Sequence, residues 1–355
     1  MMYDFIIIGA AQAGLSMAYE LKQQGKTFIV LDKEAEVGAS WLKRWDSLTL
    51  FTPSEFNNLK GMDFPKPKGH YPNKYEVANY FKAYVEKFDI PIRFNTLVTE
   101  IKDKTDYFII THEGGFYEAE QVIIATGPFH IPYTPPFHTK IEASIFQIHS
   151  DFYKNPSQLQ DGKAMVVGAG DSGYQILDEI STSSREVYFS GETDVQTLPQ
   201  EFLGKTLWWW FTRTGYLSFG KDSWLGKKIS EAKQPVIGVD VKGILNRHNV
   251  VPVGKTLDAK QQSIVTEKAK LTDVRNIIWA TGYRPKFDWI EGLELDKKGY
   301  PVHHRGVSNV DGLYFIGLPW LHTRASATLG GIKKDASYLG DYIKSYSPNK
   351  ETISI

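Results

Sequence analysis

An α/β fold of two Rossmann-like dinucleotide-binding domains, the second inserted into the first, is predicted by three observations in this sequence of 355 residues. Two glycine fingerprints, Gly9-Ala10-Ala11-Gln12-Ala13-Gly14 and Gly168-Ala169-Gly170-Asp171-Ser172-Gly173, each follow an apolar run and precede a segment of helical periodicity. Each unit then reaches a second apolar run with an acid at or just after its end, Asp32 in one and Glu192 in the other. A proline-rich stretch, Pro128 to Pro136, reads as a crossing out of the first unit, and Asp273 to Gly282 reads as a return strand.

In the first unit, Phe5-Ile6-Ile7-Ile8 is wholly apolar, as a parallel strand covered on both faces must be. After the turn, Leu15, Ala18 and Leu21 keep helical spacing up to about Gly25, and Thr27 to Leu31 forms the next strand. This is the unit in which a helix N-terminus meets a pyrophosphate while an acid about 20 residues on binds ribose hydroxyls. Gly9 and Gly14 take the tight positions, Asp32 the ribose position with Lys33 beside it, and Ala11 stands where a middle glycine is usual. The Ala11 methyl is expected to crowd the pyrophosphate slightly. A tight turn with no nucleotide is the alternative, and the agreement of strand, helix and acid argues against it.

In the second unit, Ala164 to Val167 leads into Gly168, Gly170, Ser172 and Gly173, and a helix follows through Ile176, Leu177 and Ile180. The strand Glu186 to Phe189 ends at Ser190-Gly191-Glu192. A 2′-phosphate calls for Arg or Lys here, and none stands between Val187 and Gln196. Glu192 would accept from a free 2′-hydroxyl, which leans the reading towards NADH over NADPH. The alternative is a solvated Glu192 with a base arriving from elsewhere, such as Arg213 or Lys205.

With these motifs the chain resembles the class B flavin-dependent monooxygenases, in particular short bacterial flavin-containing monooxygenase-like proteins, over nearly its whole length. Val37-Gly38-Ala39-Ser40-Trp41 with Arg44 resembles the Gly-x-x-Trp flavin loop, and Ala125-Thr126-Gly127 and Ala280-Thr281-Gly282 resemble the family's two crossing segments. Leu313 to Gly317, with Ala327 to Gly330, resembles the strand and helix that close over the flavin. Three departures stand out: Ala143 and Ile145 replace Phe and Gly in the signature that His149 and Tyr153 complete, Thr52 replaces an asparagine beside the flavin ring, and the basic residue that classical members carry near Ser190 is missing. The resemblance implies FAD held by Gly9, Ala11, Gly14, Asp32, Lys33, Trp41, Arg44, Val98, Thr126, Gly127, Gly317 and Leu329. It implies NADH or NADPH held by Gly168, Gly170, Ser172, Gly173, Ser190 and Glu192. Thr52 is the catalytic candidate, and His149 and Tyr153 are read as structural. The implied chemistry is hydride transfer to flavin and addition of oxygen to give a C4a-(hydro)peroxyflavin. One oxygen atom then passes to a small sulfur or nitrogen nucleophile or a ketone. A flavin reductase serving a partner, or a flavin- and nucleotide-binding regulatory subunit, are the alternatives.

Composition bounds these readings. Hydrophobic residues are 42%, charged residues 23% and formal net charge zero with no basic block, which suggests neither a nucleic-acid partner nor an anionic membrane surface. No apolar run is long enough to span a bilayer, and the first strand starts almost at Met1, so a cytoplasmic address is expected. Cysteine is absent, which excludes an internal thiol relay. Electrons reaching the flavin must go to oxygen, a bound small-molecule substrate or a partner protein. His303, His304 and His322 lack the companions a metal site needs. The expected domains are 1–148 with 275–355 for FAD, and 149–274 for NAD(P)H. The run Trp208-Trp209-Trp210-Phe211 cannot face one core from a helix. It reads as an interdomain plug, a substrate wall, a homodimer contact or a membrane contact.

Overall fold

The computed structural model describes residues 2–345; the last ten residues of the expected FAD domain lie outside them. The α/β class expected from the sequence is the class observed, with one mixed nine-stranded sheet and one parallel five-stranded sheet at its centre. In the first, strand Met2–Ile8 pairs in parallel with Phe28–Leu31 on one side and Gly115–Ile124 on the other. Ile92–Arg93 and Leu313–Phe315 extend these flanks in parallel, while Val98–Asp103 and Phe108–His112 form an antiparallel hairpin on Gly115–Ile124. Phe5, Ile6 and Ile7 are completely buried, which is why the strand is apolar without alternation. Helices Gln12–Gln23, Lys74–Phe88 and Ile332–Ser345 cover one face.

The second sheet has the order Val250–Pro252, Val187–Ser190, Lys163–Val167, Val274–Trp279, Phe146–His149, all parallel. Its strands span residues 146 to 279, because Phe146–His149, which follows the first crossing, lies beside the return strand Val274–Trp279. Between the sheets the chain crosses twice, and the crossings pair with each other: Ile131–Pro132 runs antiparallel to Tyr283–Arg284. Residues 201–231 leave the second sheet as a hairpin and two helices, Leu207–Arg213 and Trp224–Glu231. Among the described residues no helix is long and apolar enough to cross a membrane.

The two central strands end alike. A Cβ on Gly9 would lie 2.7 Å from the Ala125 carbonyl oxygen, and one on Gly168 would lie 2.1 Å from that of Ala280. The amides of Ala125 and Ala280 bond to Ile8 and Val167. Each Ala-Thr-Gly thus folds its first carbonyl onto the first glycine of a fingerprint, and only a glycine leaves room for it.

Candidate functional site

Register gathers the first set of residues. Ile8 pairs with Ile124, and Ile124 with Phe315, so Gly9, Ala125 to Gly127 and Gly317 all leave the same edge of the sheet. Ligands of open α/β sheets bind at this carboxyl edge. Helix Gln12–Gln23 starts there with Ala11 as N-cap and no side chain capping it, leaving first-turn amides to an anion. The Asp32 carboxylate faces the same turn, accepting from the Ala10 amide at 2.5 Å and the Glu34 amide at 2.8 Å. Gly317 is held close, since a Cβ there would come 2.8 Å from that of Ala13. Gly127 has open space where a side chain would be, and the Thr126 hydroxyl is 3.1 Å from His130 Nε2. Burial holds His130 below the ordinary histidine value. Trp41 Nε1 donates to Gln12 Oε1 at 3.4 Å, which puts that tryptophan beside the first residue of the helix. Leu329 is buried, Lys33 is exposed, and Val98 starts a hairpin two residues after Thr96, whose amide bonds to Asp32.

Thr52 is buried, and its hydroxyl donates to Asn57 Oδ1 at 2.6 Å. The fully buried Asn57 returns two bonds from Nδ2, to the carbonyls of Thr52 and Pro53. The threonine proton is thereby committed within the loop, and only its lone pairs are left for a ligand. Sequence reasoning missed Asn57, although an asparagine five residues after Thr52 in an irregular loop is a natural organiser of backbone.

Arg44 stands at the junction of the two units. Its guanidinium donates to Asp151 Oδ1 at 2.9 Å and to the Tyr283 hydroxyl at 2.6 Å, and lies 5.1 Å from the centre of the Phe129 ring. Tyr283 also donates to Asp151 at 2.7 Å, and burial pushes its hydroxyl up to about 12. His149 is spent on backbone: Nε2 is 3.1 Å from the Gly282 carbonyl and Nδ1 accepts the Asp151 amide. Tyr153 donates to Glu179. Behind Arg44 the buried Lys74 ammonium binds the Arg44 carbonyl and the Asp46 carboxylate, both at 2.7 Å, fixing the loop from within. No local pattern in the sequence marks that lysine.

The second cradle repeats the first. Helix Asp171–Ser181 begins at Gly170 without a side-chain cap, and nothing lies within 4 Å of where a Gly170 Cβ would be. That space is not needed for packing, so it fits a phosphate. Ser172 and the buried Gly173 lie in the first turn. Ser190 is buried and shares a hydrogen bond of 2.7 Å with Thr256. Around Glu192 the basic residues that arrive are Lys233, at 2.9 and 2.8 Å from its two oxygens, and Lys255 at 3.8 Å. This corrects Arg213 and Lys205 as the incoming bases; Lys205 lies instead over the Trp209 ring. The hydrogen bond from Lys233 is the main force lowering the Glu192 carboxyl. Lys255 was findable, because it follows strand Val250–Pro252, the parallel neighbour of Val187–Ser190.

The chain is similar to several known proteins. Residues 6–201 match the model of the pyridine nucleotide-disulphide oxidoreductase family. A CzcO-like oxidoreductase of Geobacillus kaustophilus is 42% identical, over 95% of this chain and 97% of the relative. A probable indole-3-pyruvate monooxygenase of Arabidopsis thaliana, YUCCA4, is 27% identical over 88% of this chain and 84% of its own. Among solved structures, the flavin-containing monooxygenase of Stenotrophomonas maltophilia superposes with a TM-score of 0.80 at 25% identity, covering 97% of this chain and 99% of that one.

Proposed function

The chain belongs to the pyridine nucleotide-disulphide oxidoreductase family, and from that premise we propose that it is an NAD(P)H-dependent, FAD-containing monooxygenase of a small sulfur or nitrogen nucleophile or a ketone. It is an oxidoreductase, and its cofactors are FAD and a nicotinamide dinucleotide. The observation that carries the reading is the pair of uncapped helix N-termini, each at the carboxyl edge of the central parallel strands of its own sheet, in a chain with no cysteine. A disulphide exchange by the chain's own thiols is thereby excluded. Two of the similar proteins carry monooxygenase names, which favours oxygen as the electron acceptor.

When bound, FAD supplies hydride acceptance and oxygen activation. The chain's residues supply the rest. The first-turn amides of Gln12–Gln23 would hold the FAD pyrophosphate, with Gly9 and Gly14 keeping the turn tight and Asp32 on the ribose. Thr126, Gly127, Trp41, Gly317 and Leu329 would wall the cofactor, with Lys33 and Val98 at its adenosine end. Thr52 would offer an acceptor beside the flavin ring. Gly168, Gly170, Ser172 and Gly173 would hold the nicotinamide dinucleotide, with Ser190 and Glu192 at its ribose. We assign the FAD domain to 1–148 and 275–355 and the inserted NAD(P)H domain to 149–274.

Anaerobic mixing of the FAD-loaded protein with NADPH and with NADH tests the first half of this function. Bleaching of the flavin absorbance within seconds is expected. No bleaching by either coenzyme would contradict the enzyme reading and leave a regulatory subunit.

A further inference from the structure

Residues 201–231 carry a surface that the chemistry above does not use. Glu201–Phe202 pairs with Lys205–Thr206 around a turn in which Leu203 has φ +50° and Gly204 φ +68°. Turns of this kind favour Asn or Asp before Gly, and leucine suits a positive φ poorly. Yet Leu203 sits there 75% exposed, beside Phe202 at 53%. Helix Leu207–Arg213 folds straight onto the hairpin: Trp210 Nε1 donates to the Phe202 carbonyl at 2.9 Å, and the Trp209 ring meets Trp210 edge-on at 4.8 Å. The Lys205 ammonium lies 5.9 Å from the Trp209 ring centre. A second exposed pair, Trp224 (74%) and Leu225, opens helix Trp224–Glu231, with Lys228 5.6 Å from the Trp224 ring.

We propose that this segment docks the protein on an anionic lipid surface. Exposed Trp, Phe and Leu with lysines stacked against the indoles match the interface between acyl chains and headgroups, where amphipathic rings and cations are both accommodated. Residues 201–231 carry Lys205, Arg213, Lys221, Lys227 and Lys228 against Glu201, Asp222 and Glu231, an excess of positive charge, while the chain as a whole is neutral. A twofold contact between copies would press two surfaces of the same positive excess together, whereas anionic lipids attract both. The inner side of the same segment is anchored: Trp208 is buried, donates to the Phe51 carbonyl at 2.8 Å and stacks on the Phe51 ring at 5.8 Å. Phe51 precedes Thr52, so a surface seated in lipid backs directly onto the proposed site. The docking itself does not depend on the activity.

Flotation of the FAD-loaded full chain with phosphatidylcholine vesicles, with and without phosphatidylglycerol, tests the proposal. The protein is expected to float with the anionic vesicles, and to be released by salt. Leu203→Asp with Trp224→Asp, and Lys227→Glu with Lys228→Glu, should each lower the bound fraction about tenfold or more. Leu203→Asn separates docking from folding: it suits the turn, so it should raise Tm while weakening flotation. Wild-type protein that stays unbound, binds both vesicles equally, or forms a dimer in solution that Leu203→Asp abolishes would overturn the proposal; the last would assign the patch to a second copy.

Discussion

At the end of strand Val187–Ser190, Glu192 holds Lys233 and Lys255, so a position that reads in the sequence as repelling a 2′-phosphate carries two cations in the fold. Releasing them should favour NADPH. Glu192→Gln is expected to lower KM for NADPH and leave that for NADH nearly unchanged, while Lys233→Ala raises KM for NADPH. Because Lys233 is mostly exposed, the effect should be about two- to fivefold; equal effects on both coenzymes would place the phosphate elsewhere. Thr52 makes a second prediction at this scale. Thr52→Val would leave the buried Asn57 Oδ1 without its donor, costing about 1–3 kcal/mol in urea unfolding, whereas Thr52→Ser keeps the bond and the stability. The first-cradle residues were legible because glycine spacing and a following acid are local signals. Lys74, Lys233 and Lys255 were not singled out, since each acts on a partner brought to it by tertiary folding, whereas Asn57 acts on Thr52 and Pro53 a few residues away and was missed despite that local signal.

The two strand–turn–helix elements make the sharpest contrast. A Cβ at position 173 would fall 2.0 Å from the Gly168 carbonyl oxygen, while one at position 170 meets nothing within 4 Å. Gly173→Ala should therefore cost about 1–3 kcal/mol of stability. Gly170→Ala should fold as the parent does yet bind NAD(P)H less tightly, which calorimetry of the two variants would read. Both helices start earlier than apolar periodicity indicates, at Gln12 and Asp171, because the last residues of each fingerprint already form the first turn. Helix Lys74–Phe88 is absent from the sequence reading, although Asn73 and Glu76 form a capping box at its start. Burial alone would raise the Glu76 carboxyl, but bonds from His70, Lys66 and the Asn73 amide outweigh it and bring it down to about 2. A carboxyl lowered on folding stabilises above its unfolded value near 4.5 and loses that contribution as pH falls towards 2. The Tm gap between the parent and Glu76→Gln should accordingly be full at pH 7 and shrink below about pH 4.5; a gap that grows on acidification would contradict this.

Across the whole molecule, the sequence conveyed the split order of the sheets because crossings and returns carry Pro, Gly and Ala-Thr-Gly punctuation. It could not convey how the units meet. Arg44 reaches Asp151 across 107 positions and Tyr283 across 239, and only the packed fold brings them together. That junction, together with Trp208 against Phe51, places the two cradles on one continuous body with the Thr52 loop between the crossing and the aromatic segment. In the proposed function, electrons entering at the second cradle reduce oxygen, one atom of which ends in product and the other in water. Turnover under ¹⁸O-labelled oxygen with a panel of thioethers, amines and ketones, scoring labelled product and hydrogen peroxide against coenzyme consumed, decides whether that happens. Labelled product tracking NAD(P)H oxidation for at least one substrate class is the expected result. Peroxide stoichiometric with coenzyme, and no labelled product from any class, would contradict it and leave a flavoprotein reductase that serves a partner.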